Sequence, residues 1–388
     1  MKAIKNGRLI VPDSRGEFRA EDNRVIIFGE TIDSIVTERD FAAMEPSDFD
    51  EVIDAGGRYV SPGFVNLHVH GCVGADTMDC DTASLHKMAV FQASTGVTAF
   101  LPTTMTYDMP RIYRALDAVR EAGEYTDGAH IIGAHMEGPF ISEQYKGAQA
   151  SCNIQKAAYS LLEGYEKVVR LITVAPEEIP EGSDFLLSCR RAGIGVSIGH
   201  SAASYECAIR SIKEGGIGHI THLFNAMTGF HHRNPGIVGA ALDTDVFCEI
   251  IADNIHCAPC SQRIVHKIKT TSEVVLITDS MRACGLGNGE SELGGQKVFV
   301  SGSRATLADG TIAGSVLTMD RAINNYSVNV GIPVWKAVEC ATITPARAIG
   351  MDKEIGSLTV GKAADIVLFD EQVNIAMTFW HGKQVFLK

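Results

Sequence analysis

His68 and His70 are separated by one residue in SPGFVNLHVHG, and on a β-strand that spacing throws both imidazoles to the same face. Imidazole is a favoured ligand for zinc and iron, so the pair is half of a metal site if other elements supply the rest. Further residues of ligating type each follow an apolar run and precede a loop: Glu137 after HIIGAHM, His200 after GIGVSIG, His222 after HIT, His256 after CEIIADNI and Asp279 after EVVLIT. A lone His-x-His also suits a polar strand end. Its recurrence as single ligands at the ends of so many segments points to one shared cation. A divalent ion held by imidazoles and a carboxylate lowers the pKa of bound water from about 15.7 to about 7. At about 1.36 kcal/mol per unit, that is on the order of 12 kcal/mol toward making hydroxide. The residue types therefore fit metal-assisted hydrolysis, with Asp279 as general base toward water and then acid toward a departing amine. A helix N-cap ahead of Ser280 is the structural alternative for Asp279.

The elements that must carry these residues are apolar, β-rich runs alternating with helical segments. The strand candidates are YVSPGFVNLHVH, VTAFLPTTM, HIIGAHMEGPF, VVRLITVAPE, GIGVSIGHS, HITHLFNAM, CEIIADNIH and EVVLITDS. Helices are expected over 108–122, 204–214 and 260–270. Eight βα units predict an α/β fold, a (β/α)8 barrel of the TIM type, whose active site lies at the C-terminal strand ends. A doubly wound open sheet is the competitor, but no Gly-rich dinucleotide fingerprint follows any strand. Residues 1–58 and 355–388 read as short strands with turns between, and pair into one small discontinuous β-sandwich domain, leaving 59–354 as the barrel. His86, His130, His266 and His381 fall in helices, at a strand start or near the terminus and read as structural; His135 and His219 stay open.

A formal net charge of −13 argues against nucleic acid or an anionic membrane as partner. No run approaches the roughly 20 apolar residues of a spanning helix, so a soluble, cytoplasmic protein is expected. Ten scattered cysteines suit a reducing compartment. Cys257 and Cys260 form a Cys-x-x-Cys, but no second pair lies nearby and Pro259 suggests a helix start, so idle thiols are expected.

The combination PGFVNLHVHG, HMEGPF, SIGHS, THLFNAM, HHRNPG and ITDS resembles the amidohydrolase superfamily, specifically the N-acetylglucosamine-6-phosphate deacetylases, over nearly the whole chain. The resemblance implies Glu137, His200 and His222 as metal ligands, a second ion through His68 and His70, and Asp279 as catalytic acid and base. It further implies a phosphate grip by backbone amides of Asn225 and Ala226, by Arg233 and by His256, with Arg and His reaching in from the neighbouring subunit of a homodimer. Ile312, Ala313 and Gly314 match a loop that touches substrate. A guanidinium and amide donors can bind a dianion that an acidic protein would otherwise repel.

Three departures stand out. Asn66 occupies a position where many relatives carry Asp. Gln149, beside Ala148 in KGAQ, replaces a His aimed at the acetyl carbonyl, so either its amide or a second metal must polarise that group. No Lys ends the fourth strand, so Glu137 would have to bridge two ions. The donors suit zinc or iron first and manganese or cobalt next, one or two per subunit. The expected activity is deacetylation of N-acetylglucosamine 6-phosphate. The galacto epimer, or a non-catalytic sugar-phosphate sensor, are the alternatives.

Overall fold

The computed structural model describes residues 1–122 and 127–388. Eight parallel strands follow chain order around a barrel: β1 (Phe64–Val69), β2 (Val97–Thr104), β3 (Ala134–Glu137), β4 (Val169–Val174), β5 (Gly195–Ile198), β6 (His219–Ile220), β7 (Phe247–Ile251) and β8 (Val274–Ile277). Runs such as VVLI in β8 are buried along their whole length, as parallel strands sandwiched between a barrel interior and outer helices must be. The seam between β1 and β8 is closed just past the strand ends, where Asp279 N–H donates to the His68 carbonyl and His70 N–H to the Ser280 carbonyl, both at 2.9 Å.

The expected helices form over Met109–Ala122, Tyr205–Lys213 and Pro259–Glu273, the second capped by the Ser204 side chain and the third opened by Pro259. All ten cysteines are free, Cys257 buried and Cys260 exposed. Among the described residues no helix is long and apolar enough to cross a membrane.

Both chain ends build a second, eight-stranded sheet, in which Ile366–Phe369 pairs antiparallel with Tyr59–Pro62. Strand Lys2–Pro12 pairs with Phe18–Phe28 on one side and in parallel with both Glu51–Asp54 and Tyr59–Pro62 on the other. The sheet therefore forks around a core of Ile4, Leu9, Phe28, Val60, Leu368 and Phe379.

Two features differ from the sequence expectation. The run from Tyr59 to His70 is two strands: Tyr59–Pro62 belongs to the terminal sheet and β1 to the barrel. The chain crosses at Gly63, where an added Cβ would lie 2.0 Å from Thr98 Oγ1. After β8 comes a small antiparallel sheet of Gly289–Leu293, Gln296–Ser301 and Arg304–Thr306. The Gly294-Gly295 turn between alternating residues was its available signal.

Candidate metal centre and active site

Glu137 ends β3, and His200, His222 and Asp279 stand in the turns just beyond β5, β6 and β8. The last three hold positive φ angles of 48°, 31° and 48°. Such a backbone costs on the order of 1–3 kcal/mol per residue and persists where the surroundings impose it. Here it turns each side chain inward over the barrel mouth.

Glu137 Oε1 lies 3.2 Å from both His200 Nε2 and His222 Nε2, which are themselves 3.1 Å apart. A second cluster shares Glu137. His68 Nε2 and His70 Nε2 lie 3.4 Å from its two oxygens, and 3.4 and 3.3 Å from Asp279 Oδ1. Glu137, His200 and His222 form one set able to hold an ion, and His68, His70 and Glu137 another.

The tautomers support a metal. His200 Nδ1 meets the Tyr145 carbonyl at 3.0 Å and His70 Nδ1 the Thr103 carbonyl at 3.2 Å. A carbonyl only accepts, so each Nδ1 carries a hydrogen and each ring turns its Nε2, the nitrogen that would bind a cation, toward the cluster. His68 Nε2 is buried without a hydrogen-bond partner, a lone pair that a cation would satisfy. Burial opposes charge on His70, but hydrogen bonds to Asp279 and Glu137 outweigh it and lift its pKa to about 9. Burial likewise works against the Glu137 carboxylate, yet His200 and His68 hold its pKa well below the ordinary value. Metal ligands must bind without those protons, so a cation would replace them.

A cavity of about 380 Å³ opens above the cluster, and its lining joins His70, Glu137, His200, His222 and Asp279 to Ala148, Gln149, Asn225, Ala226, His256, Ile312 and Gly314. Ala313 is buried outside that lining, its N–H donating to the Ala305 carbonyl. Arg233 also stands outside it, on an exposed loop with Nη1 2.7 Å from His232 Nε2. His256 is braced by Asp253, whose Oδ2 lies 2.6 Å from Nδ1. Burial opposes a charged His256, but this contact outweighs it and raises the pKa, so its free nitrogen is held toward the donor form that an anion needs.

Of the two backbone amides of the Asn-Ala pair, one is already engaged within the chain. Asn225 N–H is spent on the His222 carbonyl at 2.9 Å, which leaves the Ala226 amide. Gln149 is buried, its Nε2 donating to Glu137 Oε2 at 2.6 Å and its Oε1 accepting from Thr106 N–H at 2.8 Å. One amide hydrogen thus steadies the ligand carboxylate, and one remains for another acceptor. Asn66 ties β1 to Thr278 Oγ1 at 2.9 Å and takes no part in the cluster. His135 has both ring nitrogens engaged, by the Leu67 carbonyl and Thr173 Oγ1, and lies with His68 and Glu249 in a third set able to hold an ion.

Sequence reasoning passed over Glu249. It is fully buried in β7 and Oε2 lies 3.0 Å from His68 Nδ1. Its signal was a lone acidic residue inside the apolar run FCEII, since a buried charge requires a partner.

Comparison with known proteins agrees with this geometry. Residues 59–385 match the model of the Amidohydrolase family. The chain is 36% identical over 335 residues to an N-acetylglucosamine-6-phosphate deacetylase of Bacillus subtilis, covering 84% of each chain. It is 32% identical to an N-acetylgalactosamine-6-phosphate deacetylase of Escherichia coli O157:H7, covering 88% of this chain and 91% of that one. A crystal structure of the Thermotoga maritima N-acetylglucosamine-6-phosphate deacetylase superposes with a TM-score of 0.87 over 100% of both chains at 31% identity. With its barrel, its ligand set and these relatives in agreement, the chain belongs to the amidohydrolase family.

Proposed function

We propose that this protein hydrolyses the acetamide of N-acetylglucosamine 6-phosphate, giving glucosamine 6-phosphate and acetate. The observation that carries the reading is the convergence of Glu137, His200, His222, His68 and His70 around shared oxygens, with Asp279 Oδ1 3.3 Å from His70 Nε2. Glu137, His200, His222, His68 and His70 would hold a divalent ion, which would supply Lewis acidity toward the acetyl carbonyl and the attacking water. Asp279 takes the proton from the attacking water and returns it to the departing nitrogen. Its carboxylate suits the first step, because His68 and His70 outweigh burial and keep its pKa below the ordinary value. His256 and the Ala226 amide would hold the phosphate at the far side of the cavity and so place the acetamide over the cluster.

Two ions per subunit suit the donor set, zinc or iron first, since Glu137 faces both imidazole pairs and can bridge. The exposed position of Arg233 suits a homodimer in which that side chain completes the partner's phosphate site. Ten unpaired thiols suit a cytoplasmic protein.

The test is acetate release by the purified, metal-loaded protein, measured in parallel on the gluco and galacto epimers. Higher kcat/KM on the gluco sugar is expected, whereas preference for the other epimer would reassign the substrate. No turnover of either, with sugar phosphate still bound, would make the protein a sensor. Mixing inactive Arg233→Ala and Asp279→Asn chains tests the dimer, because a shared site regains activity in the hybrid.

A further inference from the structure

The carboxylate of Glu249 lies beneath the metal centre and is outside the ligand set proposed above. It is fully buried on β7 and touches residues of both candidate ion sites. Oε2 lies 3.0 Å from His68 Nδ1 and accepts the His222 backbone N–H at 3.1 Å. On its other side, Oε1 is 3.4 Å from His219 Nε2, too poorly aligned for a hydrogen bond. A His135 ring nitrogen also lies within 4.8 Å of this carboxylate, while Thr173, Ser197 and Thr221, inside the barrel, bond one another at 2.6–2.7 Å. A carboxylate in that layer, where barrels of this kind usually pack branched apolar residues, costs several kcal/mol unless something compensates it.

We propose that Glu249 is a positioning residue that holds His68 with its Nε2 lone pair facing the cavity and adds the negative charge that retains the second cation. The proposal rests on the two-ion reading above. The geometry carries it in two steps. A carboxylate only accepts, so the 3.0 Å contact places the hydrogen of His68 on Nδ1. That leaves Nε2 to bind a cation, and Nε2 is the atom that is buried, unpartnered and 3.4 Å from both Glu137 and Asp279. Charge balance points the same way. Glu137, Asp279 and Glu249 bring three buried carboxylates around His68, and one divalent ion leaves a formal −1 among them. A second ion cancels that and leaves +1 for a hydroxide.

The test compares wild type, Glu249→Gln and Glu249→Leu, each stripped of metal and titrated with Co(II). Uptake is followed by equilibrium dialysis with elemental analysis and by the visible absorption of the bound ion. Glu249→Gln keeps the shape and an acceptor for His68 Nδ1–H but loses the charge; Glu249→Leu loses both. The wild type is expected to take up two ions. Both variants should keep the first ion at wild-type affinity and bind the second more weakly, roughly 10- to 100-fold for a lost outer partner of a ligand, with Leu the worse. Two ions at wild-type affinity in both variants would overturn the proposal, as would an equal loss of both ions, the mark of a purely structural buried pair. If Glu249→Leu does not fold, Glu249→Gln alone decides between these outcomes. A wild-type chain that takes up a single ion overturns the two-ion reading and the proposal with it.

Discussion

Asp279 shows how far residue chemistry carries. It sits at φ 48° with its oxygen facing both His68 and His70, and Asn tolerates that backbone as well as Asp does. Asp279→Asn should therefore keep the fold and the His200 ion while acetate release falls about 10²- to 10⁴-fold, the usual contribution of a positioned acid or base. Loss of the metal along with activity would show Asp279 to be chiefly a ligand. His256 offers a second check. Its contact with Asp253 is 2.6 Å, and a hydrogen bond to a charged group contributes about 1.5–3 kcal/mol. His256→Asn should thus raise KM for the phosphorylated sugar about 10- to 100-fold and leave kcat/KM for unphosphorylated N-acetylglucosamine unchanged. An equal effect on both sugars would remove His256 from the phosphate site. These candidate positions were legible because a lone polar residue closing an apolar run is visible in one dimension. Glu249 was not, because a strand buried on both faces lacks the alternation that would say which way its side chain points.

At the scale of elements, the strands are shorter than their apolar runs suggest. The run HITHLFNAM reads as a strand to Met227, but β6 ends at Ile220, and His222, Phe224 and Ala226 all take positive φ. Sequence carries little sign of non-glycine residues in that region, since tertiary contacts impose it. Gly199 lies directly before His200, and a Cβ there would meet Thr173 Cγ2 on β4 and Thr221 Cβ beyond β6, each at 2.7 Å. Neither is a flexible chain end, so Gly199→Ala must push strands apart. A loss of about 1–3 kcal/mol is expected from overpacking, read from the denaturant midpoint, together with weaker binding of the ion at His200. Unchanged stability would mean that the barrel wall yields more than its packing implies.

At the scale of the molecule, the eight-unit alternation and the β-rich ends were legible as a barrel and a sheet built from both termini, whereas the joint between them was not. Tyr59–Pro62 runs straight on toward β1 in sequence, and only pairing with Ile366–Phe369 shows that it belongs to the other sheet. Asp365 lies at that joint. Its backbone carbonyl accepts from Gly63 N–H at 2.9 Å and its Oδ1 from His381 N–H at 3.0 Å. Burial is the dominant influence on its carboxyl and raises the pKa from 3.8 to about 6, against the opposing pull of His381 and Thr98. The folded chain thus holds this proton more tightly than the unfolded chain does. The resulting stabilisation is complete below about pH 4 and lost as pH rises through about 6. Above that, the buried charge costs on the order of 3 kcal/mol. Asp365→Asn keeps an acceptor for His381 N–H and carries no charge, so its stability relative to wild type should climb between pH 4 and pH 8, by most of that amount. Chemical denaturation of both chains at the two pH values measures the difference. An advantage that is the same at both would mean that the joint keeps Asp365 hydrated, and that terminal sheet and barrel meet less tightly than Gly63 and Thr98 require.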